Sequence, residues 1–153
     1  MDIAILNNGY EVLLCGLLSA SIAQIIKFCV FTISSKRINF KILTTTGGMP
    51  SSHSAGVIGM STSIGIIAGF DSLIFAVAIG YALVVMYDAT GIRRAAGKTA
   101  ACLNKMMEDF YHHDLQAAGG KLKELLGHTP LEVFAGAIFG IVFAYAFHLY
   151  LLG

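Results

Sequence analysis

Apolar positions along this chain fall in long unbroken runs, not in the one-sided stripes or strict alternation of a water-soluble fold. The first run covers residues 12–33, about 33 Å at the helical rise, against a bilayer hydrocarbon core of about 30 Å. A second covers residues 54–70 and a third residues 73–87, separated only by Asp71 and Ser72, so these two form an antiparallel hairpin of rather short spans. The last covers residues 130–152 and is uncharged apart from Glu132. Between the third and fourth runs the chain is polar, but its Ala, Leu and Met content favours helix, which predicts one or two interfacial helices over about residues 92–126. The expected fold is all-α: a polytopic membrane bundle of about four transmembrane helices. With no linker, low-complexity tract or internal repeat, residues 1–153 form a single domain.

Composition agrees with this reading. Hydrophobic residues make up 56% and charged residues 12% of the chain, roughly half the charged share of a soluble domain, and the mean hydropathy is +0.75. The first run has neither a basic segment before it nor a cleavage pattern after it, so it is expected to stay as a helix. A net charge of +1 without a dense basic run argues against a nucleic-acid partner. Cys15, Cys29 and Cys102 lack metal-ligand spacing and read as small buried hydrophobes.

Four spans place the two polar connections, residues 34–53 and 88–129, on one side of the membrane. They hold nine of the ten Lys and Arg residues, among them Lys36, Arg37 and Lys41. The positive-inside rule makes that face cytoplasmic, with both termini outside.

The second and fourth runs both begin at this cationic face, so two helix N-termini, each the positive end of a helix dipole, point toward it and favour an anion. One is preceded by Gly47 and Gly48 and opened by Ser51, Ser52 and His53; the plain alternative is a serine-capped helix after a turn. The other reads Gly127-His-Thr-Pro-Leu-Glu132. At a spacing of four, Glu132 can orient the His128 imidazole for nucleophilic attack, or it can serve only a capping box with Thr129 and a first-turn Pro130. Two histidines on one cationic face suit phosphoryl transfer: one attacks phosphorus and the other protonates the leaving oxygen. Lys27, Arg93, Arg94 and Lys98 are candidates to neutralise the phosphate oxygens, with a topology or headgroup contact as the even alternative for each. Asp88 is placed to hold Arg93 or Arg94. His112-His113-Asp114 has no third ligand at convincing spacing, so no metal site is expected, and His148 sits near the opposite face in a structural role.

The strings Gly47-Gly-Met-Pro-Ser-Ser-His-Ser-Ala55, Tyr87-Asp-Ala-Thr-Gly-Ile-Arg-Arg-Ala-Ala-Gly97 and His128-Thr-Pro-Leu-Glu-Val-Phe-Ala-Gly-Ala137 resemble the type 2 phosphatidic acid phosphatase superfamily, related to vanadium-dependent haloperoxidases. The likeness is to its divergent short branch of bacterial and plant membrane proteins. It implies phosphate contacts from Ser51 and Ser52, a general acid at His53, a phosphohistidine-forming nucleophile at His128 oriented by Glu132, and no metal or other cofactor. The chain departs from the superfamily pattern in three places. Ser34 and Ser35 stand where Arg-Pro should follow Lys27, Lys121 and Leu122 fall on the Ser-Arg pair before the nucleophile, and Glu132 replaces the commoner Asp.

The resulting expectation is a phosphatase of the bacterial plasma membrane acting on a lipid or isoprenoid phosphate at the cytoplasmic headgroup level, with His128, His53 and Glu132 catalytic. Lys27, Gly48, Ser51, Ser52, Arg93, Arg94 and Lys98 would bind the phosphate, with Asp88 in support. Gly/Ala faces around Ala135, Gly136 and Gly140 allow close packing, including that of a homodimer. The competing readings are a non-catalytic lipid-phosphate binder and a small anion transporter or channel subunit that uses Lys27 and Gln24.

Overall fold

A computed structural model describes residues 6–40, 42, 47–110, 122 and 127–153. The described elements are five helices: α1 (Gly9–Ser35), α2 (Ser52–Ala68), α3 (Leu73–Thr90), α4 (Ile92–Phe110) and α5 (Pro130–Leu152). Local signals set their ends. Asn8 caps α1 through its side-chain oxygen, Ser51 caps α2, Ser72 caps α3 and Thr129 caps α5. Gly69, at φ 93°, stops α2 and turns the chain into α3.

Among the described residues, three stretches are long and apolar enough to cross a membrane: Gly9–Ser35, Leu73–Glu108 and Pro130–Leu152. The expected second span, residues 54–70, corresponds to α2, a 17-residue helix in the middle of the bundle, packed on α1, α3 and α5. Burial inside protein relaxes the need for a full membrane-crossing length. Of the expected interfacial segment, residues 92–110 form α4, with Ile92, Leu103, Met106 and Phe110 exposed on one side and Lys98 and Lys105 exposed elsewhere on it. The His112-His113-Asp114 cluster lies outside the described residues.

The core is built from small and polar side chains recurring every fourth residue. On α1 these are Glu11, Cys15, Ser19, Ala23 and Lys27, all buried, whereas the outward Leu13, Leu17 and Ile25 are exposed. Antiparallel α2 meets them in register: the Ser19 hydroxyl donates to the Ala55 carbonyl at 2.8 Å and the Cys15 thiol to the Gly59 carbonyl at 3.5 Å. Parallel α5 adds Glu132, Gly136, Gly140, Ala144 and His148 at the same interval. A Cβ on Gly140 would lie 2.9 Å from the Gly59 nitrogen, and one on Gly136 would collide with the Ser51 backbone. The helices therefore touch backbone to backbone, the packing expected where lipid removes the hydrophobic drive between helices.

The two ends of this seam are ionisable. At one, the His148 Nδ1 lies 2.6 Å from the fully buried Glu11 carboxylate, which also accepts from the Asn7 N–H at 2.7 Å. At the other lie Lys27, Glu132 and His128. Lys27 stands about 24 Å from Glu11 along α1 by the helical rise, less than a bilayer core of about 30 Å, so both sets must be satisfied inside the protein.

Candidate active site

The site forms where the α2 and α5 N-termini meet the end of α3. The His128 Nδ1 lies 3.0 Å from the Glu132 Oε2. That same oxygen accepts the Thr129 N–H at 3.2 Å, and the Thr129 hydroxyl accepts the Glu132 N–H, which closes a capping box. Glu132 makes both contacts weighed for it: capping holds the carboxylate, and the held carboxylate lies against the imidazole. An Nδ1–H bonded to the carboxylate leaves Nε2 as the atom able to attack.

Glu132 is also tied to the other helix. The Gly48 N–H donates to Oε2 at 3.2 Å, and the Ser51 N–H donates to the Glu132 carbonyl at 3.0 Å. Gly48 has φ 90°, a left-handed conformation that β-carbon-bearing residues adopt at a cost, and a Cβ there would stand 3.0 Å from the Lys27 Cδ. Lys27, only 4% exposed, thus runs its alkyl arm along Gly48 and lies within electrostatic reach of Glu132. It borders a cavity of about 220 Å³ shared with Ser34, Gly47, Gly48 and the apolar Val30, Phe31 and Met49. Ser34, at the place of the superfamily arginine, therefore faces the same space as Lys27.

The remaining candidates are placed as follows. Ser51 is buried, and its Oγ accepts from the Ser54 N–H and hydroxyl, so it holds the start of α2. Ser52 and the exposed His53 border a groove between α1 and α2 with Ala20, Ser21, Gln24 and Ile25. The Gln24 amide is committed to the Ile42 carbonyl at 3.1 Å. Asp88, partly buried, is one residue before Ala89, whose carbonyl accepts the His128 N–H at 3.1 Å. Lys98 is exposed on α4, and the Arg93 and Arg94 side chains lie outside the described residues. No group of three metal-ligating side chains occurs among the described residues.

Three features were not foreseen. The Ala89 carbonyl anchors the His128 backbone, and side-chain motifs carry no sign of such a contact. The Gly48 N–H donates to the Glu132 carboxylate. Asn104, in α4, brackets Leu122 with a pair of bonds, its Oδ1 accepting the Leu122 N–H at 2.8 Å and its Nδ2 donating to the Leu122 carbonyl at 2.9 Å. This ties Leu122 to α4.

The sequence model of the Divergent PAP2 family matches residues 8–143. The chain is also 43% identical over 140 residues to the uncharacterized membrane protein YuiD of Bacillus subtilis (strain 168), an alignment covering 85% of this chain and 89% of that protein. No solved structure matches the chain.

Proposed function

The chain belongs to the Divergent PAP2 family, and from that premise we propose that this integral membrane protein is a phosphatase that hydrolyses a lipid or isoprenoid phosphate through a phosphohistidine. The observation that carries the reading is the Glu132 Oε2, held by two backbone N–H groups from two different segments and set 3.0 Å from the His128 Nδ1. A capping carboxylate has no need of the imidazole; a nucleophilic imidazole needs the carboxylate.

In the first step the His128 Nε2 attacks phosphorus, and the bond from phosphorus to the leaving oxygen breaks. His53 gives that oxygen its proton, while Glu132 stabilises the imidazolium character that develops at Nδ1. In the second step His53 takes a proton from water, the water oxygen attacks phosphorus, and the phosphorus–nitrogen bond breaks to release inorganic phosphate. Lys27, Ser52 and the positive end of the α2 dipole serve the phosphate oxygens, with Arg93 and Arg94 filling the place of the missing superfamily arginine. Ser51 and Gly48 position the helix start and the carboxylate. His128 is only 4% exposed, which shields a phosphohistidine there from stray water. The cytoplasmic leaflet of the bacterial plasma membrane fits the basic connections.

The test is phosphate release by the detergent-purified protein from a panel of lipid and isoprenoid phosphates, with vanadate, with a chelator, and beside His128→Ala. The proposal expects turnover that vanadate inhibits, that a chelator leaves unchanged, and that His128→Ala abolishes. Vanadate binding without turnover of any substrate would instead establish a lipid-phosphate binder.

A further inference from the structure

Two grooves open on the membrane-facing surface beside the site, and the chemistry of the reaction distinguishes them. One lies between α3 and α5, lined by Leu83, Val84, Tyr87, Thr90, Pro130 and Phe134, and reaches the residues flanking His128. The other, of about 420 Å³, lies between α1 and α2, lined by Ala20, Ser21, Gln24, Ile25, Ser52 and His53. Apolar surface alone would favour the first.

We propose that the α1–α2 groove holds the hydrocarbon chain of the phosphate ester, and so reads the substrate's leaving group. The inference rests on the phosphohistidine reading above. In an in-line displacement the attacking and leaving oxygens or nitrogens stand on opposite sides of phosphorus. His128 attacks from the side of α3 and α5, where its N–H bonds Ala89 and its ring bonds Glu132. The leaving oxygen, with the chain attached to it, must then point away from that side. His53, the group that protonates this oxygen, borders the α1–α2 groove.

The groove is graded to match such a molecule. Ser52 and His53 stand at its polar end. Gln24, the one amide in its wall, is bonded to the Ile42 carbonyl and, with Ile25, lies on the headgroup side of His53 by the pairing of Ser19 with Ala55 and of Lys27 with Gly48, which leaves Ala20 as apolar wall toward the bilayer interior. Leu17, one helical turn beyond Ser21 on α1 and exposed, continues the same strip toward the opposite face. A chain lying there runs along α1 into the bilayer, with its phosphate at the α2 N-terminus. The α3–α5 groove, on the nucleophile's side, would be filled by bulk lipid and is without effect on turnover.

The test compares hexadecyl phosphate with butyl phosphate, which share a leaving-group chemistry and differ only in chain length, for the wild type, Ser21→Phe, Leu17→Ala and Val84→Phe in detergent. Ser21→Phe fills the α1–α2 groove from an exposed position and should lower kcat/KM for hexadecyl phosphate about tenfold or more while leaving butyl phosphate unchanged. Leu17→Ala, which removes wall without adding bulk, should lower the preference for the longer chain several-fold, about the value of lost apolar contact. Val84→Phe should change neither. Loss of hexadecyl turnover in Val84→Phe but not in Ser21→Phe, or equal losses on both substrates in Ser21→Phe and Leu17→Ala, would overturn the assignment while leaving the phosphatase reading intact. Failure of the wild type to turn over either ester would remove the phosphatase reading, and this inference with it.

Discussion

Replacing Glu132 by Gln changes charge at nearly constant shape, so it isolates what the carboxylate contributes. Its Oε2 accepts three donors, His128 Nδ1, Thr129 N–H and Gly48 N–H, at 3.0, 3.2 and 3.2 Å. A hydrogen bond to a charged acceptor contributes about 1 kcal/mol more than one to a neutral acceptor, so the three together lose about 3 kcal/mol. The side chain is 21% exposed, and screening by solvent brings the expected loss to about 2 kcal/mol. For a chain of this size that corresponds to a melting temperature lower by about 4–8 °C. The effect on catalysis is larger. Removing the anionic partner of a catalytic histidine can lower kcat by about 10⁴-fold, through a wrong tautomer and an unsupported imidazolium. Here an amide oxygen can still take both backbone donors, so orientation partly survives and the expected loss is about a hundredfold to a thousandfold. Thermal unfolding in detergent and single-turnover kinetics read the two effects separately. A melting temperature lowered as expected with kcat within about twofold of wild type would refute the catalytic role and leave Glu132 as a cap.

Other expectations concern the seam and its ends. His148→Phe leaves the buried Glu11 without its imidazole partner and should destabilise the protein by about 3–5 kcal/mol in denaturant unfolding, whereas adding Glu11→Leu should restore part of that loss, because a neutral pair no longer strands a charge. Gly140→Ala, whose Cβ would stand 2.9 Å from the Gly59 nitrogen, should cost about 1–3 kcal/mol. Gly80→Ala, with nothing within 4 Å of its Cβ on α3, should stabilise by about 0.5–1 kcal/mol; the same unfolding assay compares the two. Gly48→Ala should cost about 1–2 kcal/mol from its φ of 90° and lower turnover more than it lowers stability, since the displaced N–H is one of the bonds that hold Glu132.

The sequence discloses the helices of this protein more readily than its interior. Apolar runs locate α1, α3 and α5 because a membrane-crossing helix must be apolar for its whole length, and caps such as Thr129 and Ser72 mark its ends. Which face of each helix turns inward does not follow from hydrophobicity, because the inner face is the more polar one: Glu11, Cys15, Ser19 and Lys27 are buried while Leu13, Leu17 and Ile25 face outward. The readable sign of the core is the small or polar residue at every fourth position, visible in Glu132, Gly136, Gly140, Ala144 and His148 once two helices are compared. The short length of α2 follows from the same inversion, since a helix wrapped by three others is not bound to the bilayer's thickness.

The candidate site divides along a similar line. The interval between His128 and Glu132 names a pair that the fold does bring together, because four residues is one helical turn and needs no tertiary information. The approach of Gly48 to that pair, across α2 and α5, needs the packing of Gly136 on Ser51, which no local pattern states. Ser51 shows the limit of reading residue types alone: its hydroxyl suits a phosphate as well as a helix N-terminus, and the buried start of α2 takes it.

The central claim, that His128 carries the phosphoryl group, is tested most directly by rapid quenching of the protein during turnover of a radiolabelled lipid phosphate. The account predicts a phosphoramidate that is labile to acid and stable to base, mapped by mass spectrometry to residue 128, present in the wild type and absent from His128→Ala. A turning-over enzyme with no such adduct at any quench time, or an adduct that persists in His128→Ala, would contradict it.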